Sequence, residues 1–455
     1  MEDNKIYLSD ILDQAKFNSF HWTVVIWCLL IIIFDGYDLV IYGVALPLLM
    51  EEWQLTSVQA GSLASLALFG MMIGAMLFGT LSDRFGRKRI IMLCVVMFSG
   101  FTFLGGFAST PVEFGILRFL AGLGIGGVMP NVGALTSEYS PKKLRSTLVA
   151  IMFSGYAVGG MSSALLGAWL VPNYGWNIMF YIAGVPLLTL ILVWKFLPES
   201  PYFLLKTGRK QEMLKIIKKI SPQTNLENVE IEISSQKDFV TEESSIKGLF
   251  KRNRITNTLL FWTTFFMCLL MVYALGSWLP KLMIQAGYSL GTSMLFLLTL
   301  NIGGMIGAIG GGFLADKYHP KKVLTIMYLL GAVALFLLGY KSPIYLLYGL
   351  IGIAGAATIG AQIVLYAFVA QYYPSAIRST GIGWASGIGR IGAIVGPVLT
   401  GALLTLSLPH HMNFLAIAIP GVIAAIAVFM VNLNTSAESK ESVNNSRQST
   451  SSMSN

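Results

Sequence analysis

The sequence predicts an all-α membrane protein with twelve transmembrane helices in two six-helix halves. Three observations support this: a strongly apolar composition, twelve apolar runs of membrane-spanning length, and two loop sequences that recur at one constant offset. Of the 455 residues, 55% are hydrophobic and 12% are charged. Because a soluble domain carries roughly 25% charged residues, lipid is the expected solvent for most of this chain.

The apolar runs define the predicted helices. Each is close to the roughly 20 residues that a helix needs to cross the hydrocarbon core. Backbone groups inside a bilayer must pair internally, which favours helices. The runs lie at about 21–48, 57–80, 89–109, 112–135, 147–171 and 177–197, and then at 256–282, 290–315, 322–340, 343–370, 379–405 and 412–432.

These runs predict four regions along the chain. Residues 1–197 form the first six-helix half, and residues 256–433 form the second. Between them, residues 198–255 form a cytoplasmic central loop, in which an amphipathic piece at 213–219 predicts a short helix. The Ser- and Asn-rich tail, 434–455, is expected to be disordered.

The loop charges predict the orientation. One set of short loops is rich in Lys and Arg, and the other carries only Lys281 and Lys341. The positive-inside rule places the rich side, and with it both termini, in the cytoplasm. The net charge of +9 is explained by this asymmetry, so no nucleic-acid partner is expected. The residues on the rich side are Arg84, Arg87, Lys88, Arg89, Lys142, Lys143, Arg145, Lys317, Lys321, Lys322 and Arg378.

Two loop sequences occur twice, in each case 233 residues apart. Residues 83–89 match 316–322, and residues 138–147 match 371–380. Chance agreement of both pairs at one offset is improbable. The sequence therefore predicts parallel repeats of the kind that lets a transporter open a central site to each side in turn.

Residues 79–89 resemble the loop signature of the major facilitator superfamily. The resemblance covers nearly the whole chain and implies the major facilitator fold. It also implies that a cluster around this loop closes the cytoplasmic side; the alternative is that the loop only sets the orientation. Gly86 permits a tight turn, and Asp83 is expected to accept hydrogen bonds from arginines or from a helix N-terminus. The predicted gate residues are Asp83, Gly86, Arg87, Glu138, Arg145, Asp316 and Arg378, with loop capping as the alternative for Glu138.

Two aspartates stand near the middle of the first span. One aspartate at the bilayer centre costs roughly 2.5–3.5 kcal/mol on insertion scales. The spacing of three residues puts Asp35 and Asp38 on one helical face, so they are expected to titrate as a coupled pair. Such carboxylates suit proton coupling; a structural ion pair with a buried arginine is the alternative.

Two arginines also lie within predicted spans. Arg390, flanked by glycines in the eleventh span, suits a substrate carboxylate. Alternatively it pairs with Asp35 or Asp38, or alternates between these roles. Arg118 stands in a sequence that resembles a fourth-helix family motif linked to proton coupling, and extension of its side chain to the membrane interface is the alternative.

Other polar and aromatic residues within the spans are candidates for substrate contact. Tyr366 and Gln362, four residues apart in mid-span, are favoured because an aromatic substrate would pack on such a ring. Trp278 is interpreted instead as an interface anchor. The other substrate candidates besides Arg390 are Tyr37, Asn131, Tyr273, Asn301, Gln362, Tyr366 and Trp384.

Within the superfamily, four local features resemble the aromatic acid:proton symporters. They are Asp-Gly-Tyr-Asp at 35–38, Trp-Leu-Pro at 278–280, Tyr-Pro at 373–374 with Arg-Ser-Thr-Gly at 378–381, and Gly-Arg-Ile-Gly-Ala-Ile at 389–394. The resemblance implies a monomer in a bacterial inner membrane that imports benzoate, hydroxybenzoates or related acids. Protons would be the coupling ion, and no cofactor or metal is expected.

Several alternatives remain open at this stage. Nicotinate carriers share much of the pattern, and Pro-Glu-Ser-Pro at 198–201 resembles a sugar-porter signature, although a neutral sugar gives Arg390 no evident role. The fifth span lacks the Gly-Pro step of drug antiporters. The four histidines lie at span ends or in loops, which argues against a membrane enzyme. A non-transporting sensor of the same acids is the remaining class.

Overall fold

The computed structural model describes residues 5–221, 230–232, 249–250, 254–340, 342–373, 375–406 and 409–433. Within them, twelve helical segments are long and apolar enough to cross a membrane. The prediction of an all-α membrane fold with twelve spans is confirmed. The disorder predicted for residues 434–455, and most of the acidic part of the central loop, fall outside the described residues.

The helices of the first half are a short helix, α1, and those of the first six spans. Polar residues start two of these helices: Asn18 Oδ1 accepts the backbone N–H of Phe20 at 3.0 Å, and Thr110 Oγ1 accepts that of Glu113 at 3.3 Å. Such caps satisfy donors that the helix itself leaves unpaired. The helices are α1 (Leu8–Asp13), α2 (Ser19–Glu52), α3 (Ser57–Phe85), α4 (Arg87–Gly105), α5 (Pro111–Tyr139), α6 (Arg145–Tyr174), α7 (Asn177–Ile182) and α8 (Val185–Phe196).

The sixth predicted span is interrupted. It consists of α7 and α8 because the chain leaves regular α-helix at Ala183 and Gly184. Pro186, at the start of α8, has no N–H to give to the preceding turn. Two short helices follow in the central loop, α9 (Pro201–Lys206) and α10 (Lys210–Ile220). The second contains the amphipathic piece at 213–219 that predicts a helix.

A small β-ladder is one feature that the fold prediction did not include. Lys5–Tyr7 (β1) pairs in parallel with Glu230–Glu232 (β2). Its strands are three residues long, too short to be read from an alternating sequence pattern.

The second half contains the remaining six spans. Its tenth span changes from α14 to a π-helical turn at Ala356–Gly360 and then to α15. Such turns frequently occur at functional sites. The helices are α11 (Ile255–Gln285), α12 (Leu290–Tyr318), α13 (Pro320–Leu338), α14 (Ile344–Gly355), α15 (Ala361–Tyr372), α16 (Ser375–Thr405) and α17 (His410–Met430).

Helix boundaries repeat at the offset that the loops predict. Adding 233 to the bounds of α3 gives those of α12, and adding it to the bounds of α4 gives those of α13. The chain clusters into two compact units, one of Met1–Leu55 with Leu66–Ser235 and one of Thr56–Ser65 with Gln236–Asn455. The predicted borders of the halves at residues 197 and 256 remain predictions.

Glycines set the closest helix packing inside each unit. A Cβ on Gly126 of α5 would lie 2.0 Å from the carbonyl oxygen of Met71 on α3. In the second unit, a Cβ on Gly355 would lie 2.0 Å from the carbonyl oxygen of Leu300 on α12. Since lipid gives no hydrophobic drive for helix association, such close backbone contact is a main source of packing energy. The glycine run in α5 therefore packs helices.

Candidate functional site

A buried polar cluster joins three helices of the first unit. Asp38 on α2 forms an ion pair with Arg118 on α5, and the two side chains are 1% and 2% exposed. Thr102 on α4 donates its hydroxyl to the second carboxylate oxygen of Asp38. Arg118 also donates to the backbone carbonyl of Asp38 at 3.3 Å and to Thr102 Oγ1 at 3.4 Å. The carboxylate is thereby charge-paired and hydrogen-bonded in an environment without water exposure.

This cluster rules out one of the two interpretations of Arg118. Its side chain lies in the protein interior and binds Asp38, so the alternative of extension to the membrane interface is wrong. Burying an unpaired guanidinium among apolar side chains carries a large desolvation penalty. The ion pair with Asp38 offsets that penalty. The buried arginine considered as a partner for Asp38 is therefore Arg118, from the same half of the chain.

The second aspartate of the first span lies one turn earlier on α2. Asp35 is fully buried, within electrostatic range of Cys94 on α4. Between the aspartates, Gly36 lets α2 approach α6: a Cβ there would lie 2.2 Å from the carbonyl oxygen of Tyr156. Both carboxylates are thus held on a helix whose position is fixed by backbone contact.

Two predicted substrate residues of the first half have protein partners. The Tyr37 hydroxyl donates to the carbonyl of Met179 at 2.9 Å. The Asn131 amide donates to the carbonyls of Phe78 at 3.2 Å and Gly127 at 2.8 Å. The bonds to Met179 and Phe78 tie neighbouring helices together, and a role for either side chain in substrate binding stays a prediction.

In the second unit, a half-buried arginine faces two tyrosines. Arg390 Nη1 lies 3.5 Å from the Tyr273 hydroxyl. The Tyr366 side chain is within electrostatic range of both and packs edge-on against Phe265, with ring centroids 4.9 Å apart. Tyr366 lies on α15, the helix that directly follows the π-helical turn. Gln362, one helical turn before Tyr366, is partly exposed. This group joins a fixed cation to aromatic surface and hydroxyl donors, which suits an aromatic carboxylate.

The other candidates of the second unit have separate surroundings. The Asn301 amide donates to Leu297 of its own helix at 2.9 Å. Trp384 is 40% exposed and stacks on Trp262, with centroids 5.7 Å apart. Trp278, interpreted from sequence as an interface anchor, is fully buried and donates its indole N–H to the Pro397 carbonyl at 2.9 Å. The anchor interpretation is wrong because α16 supplies the polar partner that an interface would otherwise provide.

A second polar cluster surrounds the loop between α3 and α4. Glu199 Oε1 accepts the backbone N–H of Lys88 at 3.0 Å and so caps the start of α4. This fit requires Gly86, since a Cβ there would lie 2.4 Å from Glu199 Oε2, and φ is +95°. The capping role expected of Asp83 is taken by Glu199, and the Asp83 side chain is exposed. The Pro-Glu-Ser-Pro segment therefore has a structural function that is independent of any sugar.

The cluster extends to the end of α5. Arg87 Nε donates to Glu138 Oε1 at 2.7 Å, and Ser200 Oγ donates to Glu138 Oε2 at 2.5 Å. The Tyr139 hydroxyl donates to the Glu199 carbonyl at 2.5 Å. Gly86, Arg87 and Glu138 are thus brought together as predicted, and Glu138 is largely buried. Glu199 is the member that sequence reasoning assigned to no site.

The remaining predicted gate residues lie in other contacts. Arg145 forms an ion pair with Asp13 of α1 and donates to the Ser137 carbonyl at 3.1 Å. Arg378 is exposed and donates to the Tyr373 carbonyl at 3.4 Å. Asp316 is exposed.

Burial raises the pKa of the Tyr373 hydroxyl to about 12, and a hydrogen bond between this hydroxyl and that of Thr258, at 2.8 Å, partly offsets this effect.

Together, a twelve-span fold with internal repeats and buried charges in its helices defines the class of polytopic membrane transport proteins. The sequence model of the Major Facilitator Superfamily matches residues 28–318 and 302–454. The chain belongs to the Major Facilitator Superfamily, which confirms the predicted family and the prediction that it is not an enzyme.

Characterised relatives and a solved structure refine this placement. The chain is 52% identical to a benzoate transport protein of Acinetobacter baylyi, over 94% of this chain and 93% of that one. It is 36% identical to a 4-hydroxybenzoate transporter of Pseudomonas putida, over 95% of this chain and 97% of that one. Its fold resembles that of a bacterial homologue of the human lysosomal transporter Spinster, with a TM-score of 0.72, 18% identity, and coverage of 91% and 97%.

Proposed function

We propose that this chain imports a small aromatic carboxylate, of the benzoate or hydroxybenzoate type, together with protons. The observation that carries the substrate class is the 52% identity, over nearly the full length, to a benzoate transport protein. The location proposed is a bacterial inner membrane, with both termini in the cytoplasm as the loop charges favour. A monomer is sufficient because each chain holds both repeats.

Proton coupling is assigned to Asp38, Arg118 and Asp35. Asp38 is buried and charge-paired with Arg118. Protonation of Asp38 removes the attraction that holds Arg118, so the contact between α2 and α5 depends on whether the proton is bound. Asp35, one turn away, is the second carboxylate of the coupled pair. Protons are the only coupling ion that this scheme requires, and it uses no cofactor.

Substrate binding is assigned first to Arg390 on α16, and then to Tyr366 and Gln362 on α15. The guanidinium is permanently charged and half-buried, so it would attract a carboxylate strongly. The Tyr366 ring would pack on the aromatic body of the substrate. The cluster of Gly86, Arg87, Glu138 and Glu199 would act at the cytoplasmic end, as part of the gate in an alternating-access cycle.

The test is uptake of radiolabelled benzoate into proteoliposomes with an imposed inward proton gradient, with and without a protonophore. The proposal requires accumulation that depends on the gradient and disappears with the protonophore. Nicotinate and sugars are tried in the same vesicles. Accumulation of one of these without benzoate would reject the assigned substrate, and benzoate binding without flux would favour a sensor.

A further inference from the structure

A cationic pocket of about 340 Å³ lies in the first unit, where the start of α4, the end of α8, α9 and α10 meet. Six cationic and two acidic side chains line it, a formal excess of four positive charges. No lining residue belongs to the cluster around Asp38. The cationic residues are Lys88, Arg89, Lys195, Arg209, Lys215 and Lys219.

The two carboxylates of the pocket already have partners. Glu199 accepts the backbone N–H groups of Lys88 at 3.0 Å and Ser200 at 2.9 Å. Glu212 pairs with Arg209 at 2.5 Å. Like charges gathered in one concave site repel each other, and a bound anion would relieve that repulsion.

The pocket is built on fixed elements. Lys88 Nζ donates to the Trp194 carbonyl at 2.5 Å and lies 4.8 Å from the centre of the Trp194 ring. Met213 and Ile217 anchor α10 by burial, and the Asn18 amide, at the start of α2, donates to the carbonyl of Lys219 at 2.9 Å. The side chains of Lys215 and Lys219 are exposed one helical turn apart on this anchored helix. The helix positions that carry these cationic side chains are therefore fixed.

An apolar surface adjoins the pocket. On α8, part of the sixth membrane span, Leu188 is 79% and Ile191 78% exposed. Trp194 and Phe196, which line the pocket, are also exposed at the end of this helix. A cationic pocket at the end of an exposed apolar helix matches a molecule with an anionic head and hydrocarbon chains.

We propose that this pocket binds the phosphate group of an anionic phospholipid, with the acyl chains lying along α8. Lysines supply point charges to the phosphate oxygens, and Arg89 can supply paired N–H donors. The free phosphate ion shares this chemistry, and the apolar face of α8 is what favours the lipid. The proposal does not depend on which substrate is transported.

The test compares two α10 variants of the full-length purified protein in detergent. The pocket variant is Lys215→Gln with Lys219→Gln. The matched control, Lys210→Gln with Lys218→Gln, removes the same charge from the same helix at exposed positions outside the lining. The shift of the thermal unfolding midpoint is titrated with dioleoylphosphatidylglycerol, dioleoylphosphatidylcholine, glycerol 1-phosphate and inorganic phosphate. Arg89→Gln provides a second pocket variant on a different helix.

Phosphatidylglycerol should raise the unfolding midpoint of the wild type and of the control, while phosphatidylcholine should not. The Lys215→Gln/Lys219→Gln variant should need roughly tenfold more phosphatidylglycerol for the same shift, because two cations near an anionic headgroup are removed. Arg89→Gln removes one cation and should also need more lipid than the control. Equal responses of pocket and control variants would overturn the site. A shift with inorganic phosphate that the pocket variants abolish, without a shift by phosphatidylglycerol, would overturn the lipid assignment.

Discussion

Asp38 and Arg118 form a buried ion pair between α2 and α5, and Thr102 on α4 completes the hydrogen bonding of the carboxylate. The pair links three helices of one repeat through a contact that depends on charge. Neither group can find water if the other is removed, because both side chains are almost fully enclosed. The pair is therefore important for stability, and protonation of Asp38 would change the contact between α2 and α5.

The first prediction concerns stability. Asp38→Asn and Arg118→Gln should each destabilise the protein by about 3–5 kcal/mol, since each leaves a buried group without its charged partner. The double variant should be less destabilised than the sum of the single variants, because it buries no unpaired charge. Thermal unfolding of the four proteins in detergent measures this coupling, and additive effects would contradict it. Asp83→Asn, at an exposed carboxylate, is the control.

The second prediction concerns coupling, and it rests on the proposed function. Asp38→Asn cannot release a proton and so should lose accumulation of benzoate driven by a proton gradient. Exchange of labelled for unlabelled benzoate across the same vesicles needs no net proton movement and should persist. Both rates are measured in one preparation of proteoliposomes. Retention of gradient-driven accumulation would remove Asp38 from the coupling mechanism.

The third prediction concerns the turn between α3 and α4. Gly86→Ala should destabilise the protein by at least about 1–2 kcal/mol, because an L-residue is strained at φ +95°. The added Cβ would also displace the Glu199 carboxylate from its cap on α4. The control is Gly79→Ala, where nothing lies within 4 Å of the new Cβ. The prediction would be refuted if Gly86→Ala and Gly79→Ala both had unfolding midpoints close to that of the wild type.

The repeat was the most informative feature of the sequence. It predicts that α4 and α13 begin at equivalent positions, and the residues just before them, Gly86 and His319, both have positive φ. The hydrogen bonds also repeat: Arg145 donates to the Ser140 carbonyl and Arg378 to that of Tyr373, each at 3.4 Å. Local sequence determines these features, so a pattern search along the chain can find them.

The partners of the buried charges could not be predicted in the same way. Arg118 meets Asp38 across 80 positions of sequence, and Glu199 meets Lys88 across 111. Such contacts depend on how the helices cross, which one sequence does not specify. Thr102 resembles any small residue of an apolar helix, so nothing in its local pattern indicated that it would bind a carboxylate. The aspartates and arginines were found because charge inside a span is itself a signal.

The last prediction concerns Arg390 and also rests on the proposed function. Arg390→Lys keeps the positive charge but loses the planar pair of donors, so it should weaken benzoate binding by about tenfold or more. Arg390→Ala should weaken it further, because the charge is also lost. Arg378→Lys, at an exposed arginine near the start of the same helix, is the matched control and should bind benzoate like the wild type. Equilibrium binding of labelled benzoate to purified protein measures the effect apart from proton coupling. If Arg390→Ala bound benzoate with unchanged affinity, another residue would have to bind the substrate carboxylate.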